Sequence, residues 1–265
     1  MRTIDSGQNA LIKDMRKAFR SGEPTGDGYC AIESVKTIEE AIRSGLRLRA
    51  VVFSKSGQNR AERLLPQVSS HAETAVVSDE IFESLAATES PQGVAALVRI
   101  PKHELDDVVR TDNPLLAVAA GLQDPGNFGT LVRSAEAFGA AAALATEGTV
   151  SAWNAKSIRA SAGSLFRLPM VKMASAELVA KLRERGIRLL ATSSHKGTPL
   201  PEADLRGAVA VFVGNEGAGI PKSLAQEMDE TVVIPQASQV ESLNAGVAAS
   251  IVLYEAARQR RTEVE

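Results

Sequence analysis

Residues 115–140 read LLAVAAGLQDPGNFGTLVRSAEAFGA and contain an apolar run, a polar turn and an amphipathic segment. The run over 115–120 is continuously apolar, which is typical of a parallel strand covered on both faces. The segment over 130–138 has helical periodicity and is closed by Gly139, a residue type that ends helices because left-handed backbone does not strain it. This stretch therefore predicts a strand, a turn and a helix.

The same alternation continues toward the C-terminus. The further apolar runs are AALAT (142–146), RLLAT (188–192), AVAVFVG (208–214) and TVVIP (231–235). Amphipathic segments lie between them, including ELVAKLRERG (177–186), and a last helix is predicted from about Ser242 to Arg261. The pattern predicts an α/β domain with a mainly parallel sheet over residues 111–265.

The first 110 residues repeat this alternation on a smaller scale. Strand-like and helix-like runs follow one another at 29–35, 37–46, 50–54, 61–68, 75–86 and 93–101. They predict a second, smaller α/β domain over residues 1–110. The polar stretch PKHELDDVVRTDNP (101–114) is bracketed by prolines, which predicts a linker.

The composition excludes several classes of protein. The chain has 265 residues, of which 44% are hydrophobic and 23% charged, as is typical of globular rather than disordered or fibrous proteins. Its net charge of −2 excludes a global positive field, although a local basic patch remains possible. We find no signal-peptide core and no apolar stretch of membrane-spanning length, which predicts a cytoplasmic protein with no membrane partner.

Cysteine and histidine give little support for metal or thiol chemistry. The single cysteine, Cys30, excludes an internal disulfide and lies in an apolar run, so we predict a small core residue. The histidines lack the spacing of metal ligands, so we predict no metal site; they are His71, His103 and His195.

Three segments of the second half place glycine or polar residues after a predicted strand, where open α/β sheets bind ligands. In the first, GLQDPGNFGTLVRSAEAFGA (121–140), we expect Pro125, Gly126 and Gly129 to turn the backbone and the helix to begin near Thr130 with free N–H groups. Arg133 is either a functional cation or one half of a surface ion pair with Glu136.

The second segment is VGNEGAGI (213–220). Its glycines are compatible with a phosphate loop or with a plain turn into a helix that begins at Pro221. Their order differs from that of the dinucleotide fingerprint, and Glu216 would repel a phosphate. A neutral or cationic ligand fits better.

The third segment is IPQASQVESLNAGVAASIVLYEAARQR (234–260). Ser242, Asn244 and Gly246 stand at the start of the predicted last helix, where Ser242 is either a plain N-cap or a group that faces a ligand. Val247, Ile251 and Tyr254 share one face of that helix.

Taken together in this order, the three segments resemble the signature motifs of the SpoU (TrmH-like) RNA 2′-O-ribose methyltransferases of the SPOUT class. The matching residues are Asn127–Thr130 with Arg133, Ser134 and 137–139 for motif one, Gly214–Gly217 with Gly219 for motif two, and Ile234, Pro235 and Glu241–Asn244 for motif three. The first domain resembles the family's ribosomal-protein-like substrate-binding domain through residues 30–45 and 90–98. The chain departs from the family at Ala245-Gly246, where Val-Ser is usual.

The resemblance implies a C-terminal trefoil knot, a homodimer, S-adenosylmethionine as cofactor, and ribosomal or transfer RNA as substrate. It implies cofactor contacts from Gly214, Asn215, Gly217, Ile234, Leu243 and Asn244. It implies catalytic roles for Arg133, Asn127, Glu216, Ser242 and Asn244.

Within that scheme, Arg133 of one subunit approaches the cofactor held by the other. A guanidinium normally stays protonated, so we expect Arg133 to orient the ribose or a phosphate and to stabilise the developing alkoxide rather than to act as a base. We expect Asn127 to hold that arginine in place.

RNA binding must rely on local charge. Positions 13, 16, 17 and 20 carry Lys or Arg and fall on one face of a predicted N-terminal helix. Two alternative functions remain: a catalytically inactive RNA-binding or ribosome-assembly factor of the same fold, and a nicotinamide-dependent oxidoreductase. Strand order and Glu216 both oppose the oxidoreductase.

Overall fold

The structure is a computed structural model that describes residues 1–237 and 242–261. The chain divides into two compact units. The first comprises Met1–Pro101 and Trp153–Phe166, and the second comprises Lys102–Ala152 and the chain from Arg167 onward. Across the described residues, no helix combines the length and the apolar character that crossing a bilayer requires.

The first unit is a mixed α/β sheet structure. Its elements up to Pro101 are β1 (Arg2–Thr3), α1 (Ala10–Ser21), β2 (Tyr29–Glu33), α2 (Val35–Arg43), β3 (Leu48–Ser54), α3 (Ala61–Leu64), β4 (Glu73–Val77), α4 (Asp79–Leu85) and β5 (Val94–Arg99). The strands lie in the order β1-β4-β3-β5-β2. Strand β4 is parallel to β1 and β3, whereas β5 is antiparallel to β2 and β3.

Helix α1 shows how the sequence sets both a buried and a basic face. The side chain of Asn9 caps it by accepting the Leu11 N–H at 3.0 Å. One face is buried against the sheet through Leu11, Ile12, Met15 and Ala18. The opposite face exposes Lys13, Lys17 and Arg20. Arg16, predicted to belong to the same basic stripe, instead donates to the Ser84 hydroxyl at 2.8 Å.

The remaining elements belong to the second unit, except for α7. They are α5 (Leu105–Val108), β6 (Leu115–Ala120), α6 (Pro125–Ala137), β7 (Ala142–Ala145), α7 (Ala155–Ser161), β8 (Met170–Lys172), α8 (Ser175–Glu184), β9 (Arg188–Ser193), β10 (Thr198–Pro199), β11 (Val209–Gly214), α9 (Lys222–Ala225), β12 (Glu230–Val233) and α10 (Ala245–Arg261).

The sheet of the second unit has the order β10-β12-β9-β11-β6-β7-β8, and every described pairing is parallel. The predicted parallel α/β fold is therefore confirmed. Gly214 lies beside Ala120, and Phe212 beside Ala191, so β6, β9 and β11 end at the same edge. The trefoil knot stays a prediction, because residues 238–241 of the connection from β12 to α10 lie outside the described residues.

Helix α6 begins five residues earlier than predicted. Asp124 is its N-cap and accepts the Asn127 N–H at 2.8 Å, and Pro125 occupies the first turn, where proline is favoured. The residues expected to form a turn, Pro125, Gly126 and Gly129, are thus helical. The expectation of free N–H groups near Thr130 was wrong, because that position is inside the helix.

The predicted linker over 101–114 also contains structure. It includes α5, and Leu105, Val108 and Val109 are buried in the core of the second unit. Their spacing is that of one apolar helix face, which the surrounding charges obscured. The N-terminal part of the first unit accordingly ends at Pro101, nine residues before the predicted boundary.

Helices α6 and α10 approach each other closely through small residues. A Cβ atom at Gly246 would lie 3.0 Å from the Cβ of Thr130, and the hydroxyls of Ser134 and Ser250 are 2.7 Å apart. Because Thr130 is fixed within α6, a larger residue at 246 must push the helices apart.

We expect Gly246→Leu to lower the free energy of unfolding of the second unit by about 2 kcal/mol, the usual cost of overpacking a close contact. Urea and thermal unfolding would measure it. Gly26→Leu is the matched control, since a Cβ there meets no atom within 4 Å. Equal stability of the two variants would contradict the close contact.

Candidate active site

A cavity of about 1080 Å³ lies at the carboxyl ends of β9, β11 and β12. Three parts of the chain line it: the end of β9 with the loop that follows, the loop after β11, and a third group made of Ile234 and Gln236 together with Ser242, Leu243 and the first turns of α10. Because parallel strands all end at this edge, their following loops converge there. The lining residues predicted from sequence are Gly214, Asn215, Glu216, Gly217, Ile234, Ser242 and Leu243.

The loop after β11 is a closed turn. Asn215 and Gly219 exchange two backbone hydrogen bonds of 3.1 and 2.8 Å, and the Asn215 side chain accepts the Gly217 N–H at 3.0 Å. A Cβ at Gly214 would overlap the backbone of Gly219 and Ile220. Since Gly217 and Gly219 use their N–H groups within the turn, the loop does not present the array of free N–H groups that a phosphate loop needs.

The side chain of Asn127 connects three segments. Its Nδ2 donates a hydrogen bond to Glu216, and its Oδ1 accepts one from the Asn244 amide at 2.8 Å. The three residues stand after β6, after β11 and before α10, so this chain of hydrogen bonds joins all three sequence motifs. An ionised carboxylate only accepts hydrogen bonds, which fixes the amide orientation of Asn127.

Arg133 lies elsewhere. It is exposed on α6 and is not among the described residues that line the cavity. The ion pair considered between Arg133 and Glu136 was wrong: Glu136 pairs with Arg167, with Nη2 and Oε2 2.9 Å apart. Asn127, expected to hold Arg133, directs its side chain to Glu216 and Asn244 instead.

The start of α10 also differs from the expectation. The helix begins at Ala245, and Asn244 caps it by accepting the Val247 N–H at 3.2 Å. The prediction of Ser242 as the cap was therefore wrong, and Ser242 instead lines the cavity. Glu241, part of the third motif, lies outside the described residues.

Sequence reasoning missed the loop after β9 and one residue of the third segment. Thr192 and Ser193 at the end of β9, the loop residues 194–197 and Gln236 line the cavity. The loop was predictable in principle: RLLAT was recognised as a parallel strand, so the polar residues after it had to reach the same edge. Gln236 directly follows the Ile234-Pro235 pair of the third motif, and no sequence pattern indicated that it lines the cavity.

The polar groups of the cavity are suited to an organic ligand. The Oε1 atom of Gln236 is buried and finds no hydrogen-bond donor among the described residues. His195 and Lys196 lie on the loop after β9, and Glu216 lies at the turn after β11. The described residues contain no cluster of three or more His, Cys, Asp or Glu side chains arranged to hold a metal ion.

Cys30 takes no part in this site. It is buried in the first unit, and desolvation raises the pKa of its thiol to about 12. A thiol with that pKa carries almost no thiolate at neutral pH, so it is unsuited to nucleophilic catalysis.

Comparison with known proteins identifies relatives of both units. The SpoU rRNA methylase family model matches residues 114–254, and the MRM3-like substrate binding domain model matches residues 9–96. The 23S rRNA (guanosine(2553)-2′-O)-methyltransferase RlmP of Bacillus subtilis is 32% identical over 96% of this chain and 98% of its own length. The 23S rRNA (uridine(2479)-2′-O)-methyltransferase of Streptomyces viridochromogenes is 32% identical over 95% of this chain and 88% of its own length.

A solved structure agrees with these sequence matches. The SpoU methyltransferase AviRb from Streptomyces viridochromogenes, in complex with AdoMet, aligns with a TM-score of 0.83 and 29% identity. The alignment covers 96% of this chain and 99% of that structure. The fold, the three motifs and the full-length relatives agree, and the chain belongs to the SpoU rRNA methylase family.

Proposed function

We propose that the protein transfers the methyl group of S-adenosylmethionine to a ribose 2′-hydroxyl of ribosomal RNA, and that the cavity of the second unit holds the cofactor. The observation that carries this proposal is the convergence of Gly214, Ile234 and Leu243, from distant parts of the sequence, on one cavity. Two full-length relatives named as 23S rRNA 2′-O-methyltransferases support the choice of ribosomal RNA.

The residues of the cavity fit this cofactor. S-adenosylmethionine supplies a methyl group made electrophilic by a sulfonium. The backbone at Gly214, Ile234 and Leu243 and the side chains of Asn215 and Ser242 would hold it. Glu216, an exposed carboxylate held by Asn127, would attract the sulfonium rather than repel it.

The second subunit completes the site in this proposal. On α10, Val247 and Tyr254 are 46% and 55% exposed although apolar side chains of this size are usually buried, and their spacing of seven residues puts them on one face. The ring of Tyr254 contacts that of Phe138 at the end of α6, with centroids 5.6 Å apart. An apolar surface on α6, which carries Arg133, and on α10, which begins directly after Asn244, is suited to a second copy of the chain.

Arg133 would then act on the neighbouring cofactor. Its side chain makes no hydrogen bond or ion pair with the residues of its own chain that the structure describes, so it is free to meet RNA. A guanidinium donates up to five hydrogen bonds but does not accept a proton at neutral pH. Its role is to orient the ribose and to stabilise negative charge as the hydroxyl loses its proton.

RNA would be held partly by the first unit. Lys13, Lys17 and Arg20 form a basic stripe on the exposed face of α1. Each is available for a phosphate, and phosphate contacts provide most of the sequence-independent affinity for RNA.

The cofactor site is tested by Gly214→Ala. Because the added methyl group overlaps Gly219 and Ile220, the turn after β11 must open, and we expect at least a tenfold loss of affinity for S-adenosylhomocysteine by calorimetry. Gly26→Ala should bind normally. Failure of the wild-type protein to bind would contradict the proposal and favour a catalytically inactive RNA-binding factor.

The role of the partner subunit is tested by mixing two inactive variants. In a dimer of Arg133→Ala and Gly214→Ala subunits, one site combines an intact cofactor cavity with an intact arginine from the partner. After subunit exchange in an equal mixture, half of the dimers are mixed and each has one working site of two. We therefore expect about a quarter of the wild-type methyl transfer into RNA from cells that lack the gene, while each variant alone stays inactive. An inactive mixed dimer would show that Arg133 does not act across the interface.

The basic stripe is tested by replacing Lys13, Lys17 and Arg20 with Ala. We expect weaker RNA binding and a slope of log affinity against log salt that is lower by about 2 to 3, since each lost phosphate contact lowers it by nearly one. The control removes three cations of α8 and its C-cap that are paired with carboxylates: Lys181, Arg183 and Arg185. Equal effects of the two triple variants would contradict a specific role for α1.

A further inference from the structure

The cavity contains a positive side chain that the folded chain leaves unpaired. Among the described residues that line it, Lys196 is the only lysine, no arginine is present, and Glu216 is the only carboxylate. Lys196 is exposed, and its side chain makes no hydrogen bond or ion pair with the residues that the structure describes. Its charge is therefore available to a ligand in the cavity.

The loop that carries Lys196 is held against β12. The hydroxyl of Ser193 accepts the backbone N–H of Lys196 at 3.4 Å. A Cβ atom at Gly197 would overlap the carbonyl of Thr231 in β12, so the loop approaches that strand as closely as glycine allows. Glu216 follows β11, and β9 lies between β11 and β12 in the sheet. The positive and the negative group thus belong to opposite sides of the cavity.

We propose that the ammonium group of Lys196 binds the carboxylate of S-adenosylmethionine, which makes this lysine a specificity-determining residue for the cofactor. This inference rests on the proposed function, because it requires the cofactor to occupy the cavity. The cofactor carries a single negative group, the carboxylate, and two positive groups, the sulfonium and the α-ammonium. With the sulfonium attracted to Glu216, the carboxylate is the group that a lysine across the cavity attracts.

The chemistry of this pair determines which ligands the site distinguishes. A lysine ammonium has three N–H donors and no acceptor, whereas a carboxylate has only acceptors, so neither group can be turned to suit a wrong partner. The same ammonium repels the sulfonium and the α-ammonium of the ligand. Lys196 therefore favours ligands that carry the carboxylate, and it orients the amino-acid part toward the loop after β9.

The test measures binding of two ligands by calorimetry to the wild-type protein and to Lys196→Met, which removes the charge at similar length. The ligands are S-adenosylhomocysteine and S-adenosyl-3-thiopropylamine, which keeps the amine and lacks only the carboxylate. We expect Lys196→Met to bind S-adenosylhomocysteine about fivefold more weakly, as is typical of losing a partly exposed ion pair, and to bind the decarboxylated ligand at least as well as the wild type does. Lys196→Arg, which keeps the charge, should recover most of the loss.

The two ligands separate a carboxylate contact from other roles of the lysine. An equal loss for both ligands would overturn the proposal, because the lysine would then act on a part that they share. An unchanged affinity for S-adenosylhomocysteine would overturn it as well. If RNA then binds more weakly to Lys196→Met, the lysine serves a phosphate instead.

Two controls separate this result from other failures. Lys222→Met makes the same change at an exposed lysine of α9 that is not among the described lining residues, and it should bind both ligands normally. If the wild type binds S-adenosylhomocysteine and Gly214→Ala does not, a negative result at Lys196 overturns this inference alone and leaves the proposed function intact.

Discussion

The side-chain amide of Asn127 joins three parts of the second unit that are distant in sequence. Its nitrogen donates to Glu216 after β11, and its oxygen accepts from Asn244 before α10. An amide can serve both partners at once because its donor and its acceptor are different atoms of one rigid group. The relative placement of the turn after β11 and the start of α10 therefore depends on one residue in the first turn of α6.

That residue is held in place by the packing beneath it. Asp124 fixes the first turn of α6, and Gly246 lets α10 approach so closely that even a methyl group there would crowd Thr130. The pair Ala245-Gly246, where the chain departs from its family's usual Val-Ser, lies at this contact. At Gly246 the departure is thus a packing feature of the α6–α10 interface, whereas the hydrogen bonds that connect the motifs come from Asn127, Glu216 and Asn244.

The sequence predicted the parts of the fold that have a clear hydrophobic pattern. The buried strands β6, β7, β9 and β11 were recognisable because a short continuous apolar run in a globular protein of this size usually forms a buried strand. Element boundaries were harder: a Pro-Gly pair is common both in turns and in the first turn of a helix, and only the Asp124 cap distinguishes the two at α6. The segment around α7 joins the first unit through tertiary contacts, which no local pattern encodes.

The motif residues of the cavity were found by resemblance, while the loop after β9 carries no motif and was missed.

Local pairing of charges explains how an enzyme with a net charge of −2 can act on RNA through a cationic cofactor. Several arginines, including Arg43, Arg63 and Arg188, are paired with carboxylates and contribute little field of their own. Lys17 on α1 and Arg133 on α6 have no such partner among the described residues, so their charge is available to phosphates. Glu216 lines the cavity, where a carboxylate attracts a positively charged ligand. The binding of RNA and the binding of the cofactor therefore depend on the unpaired charges near each of them. The net charge of the chain does not predict the binding of either one.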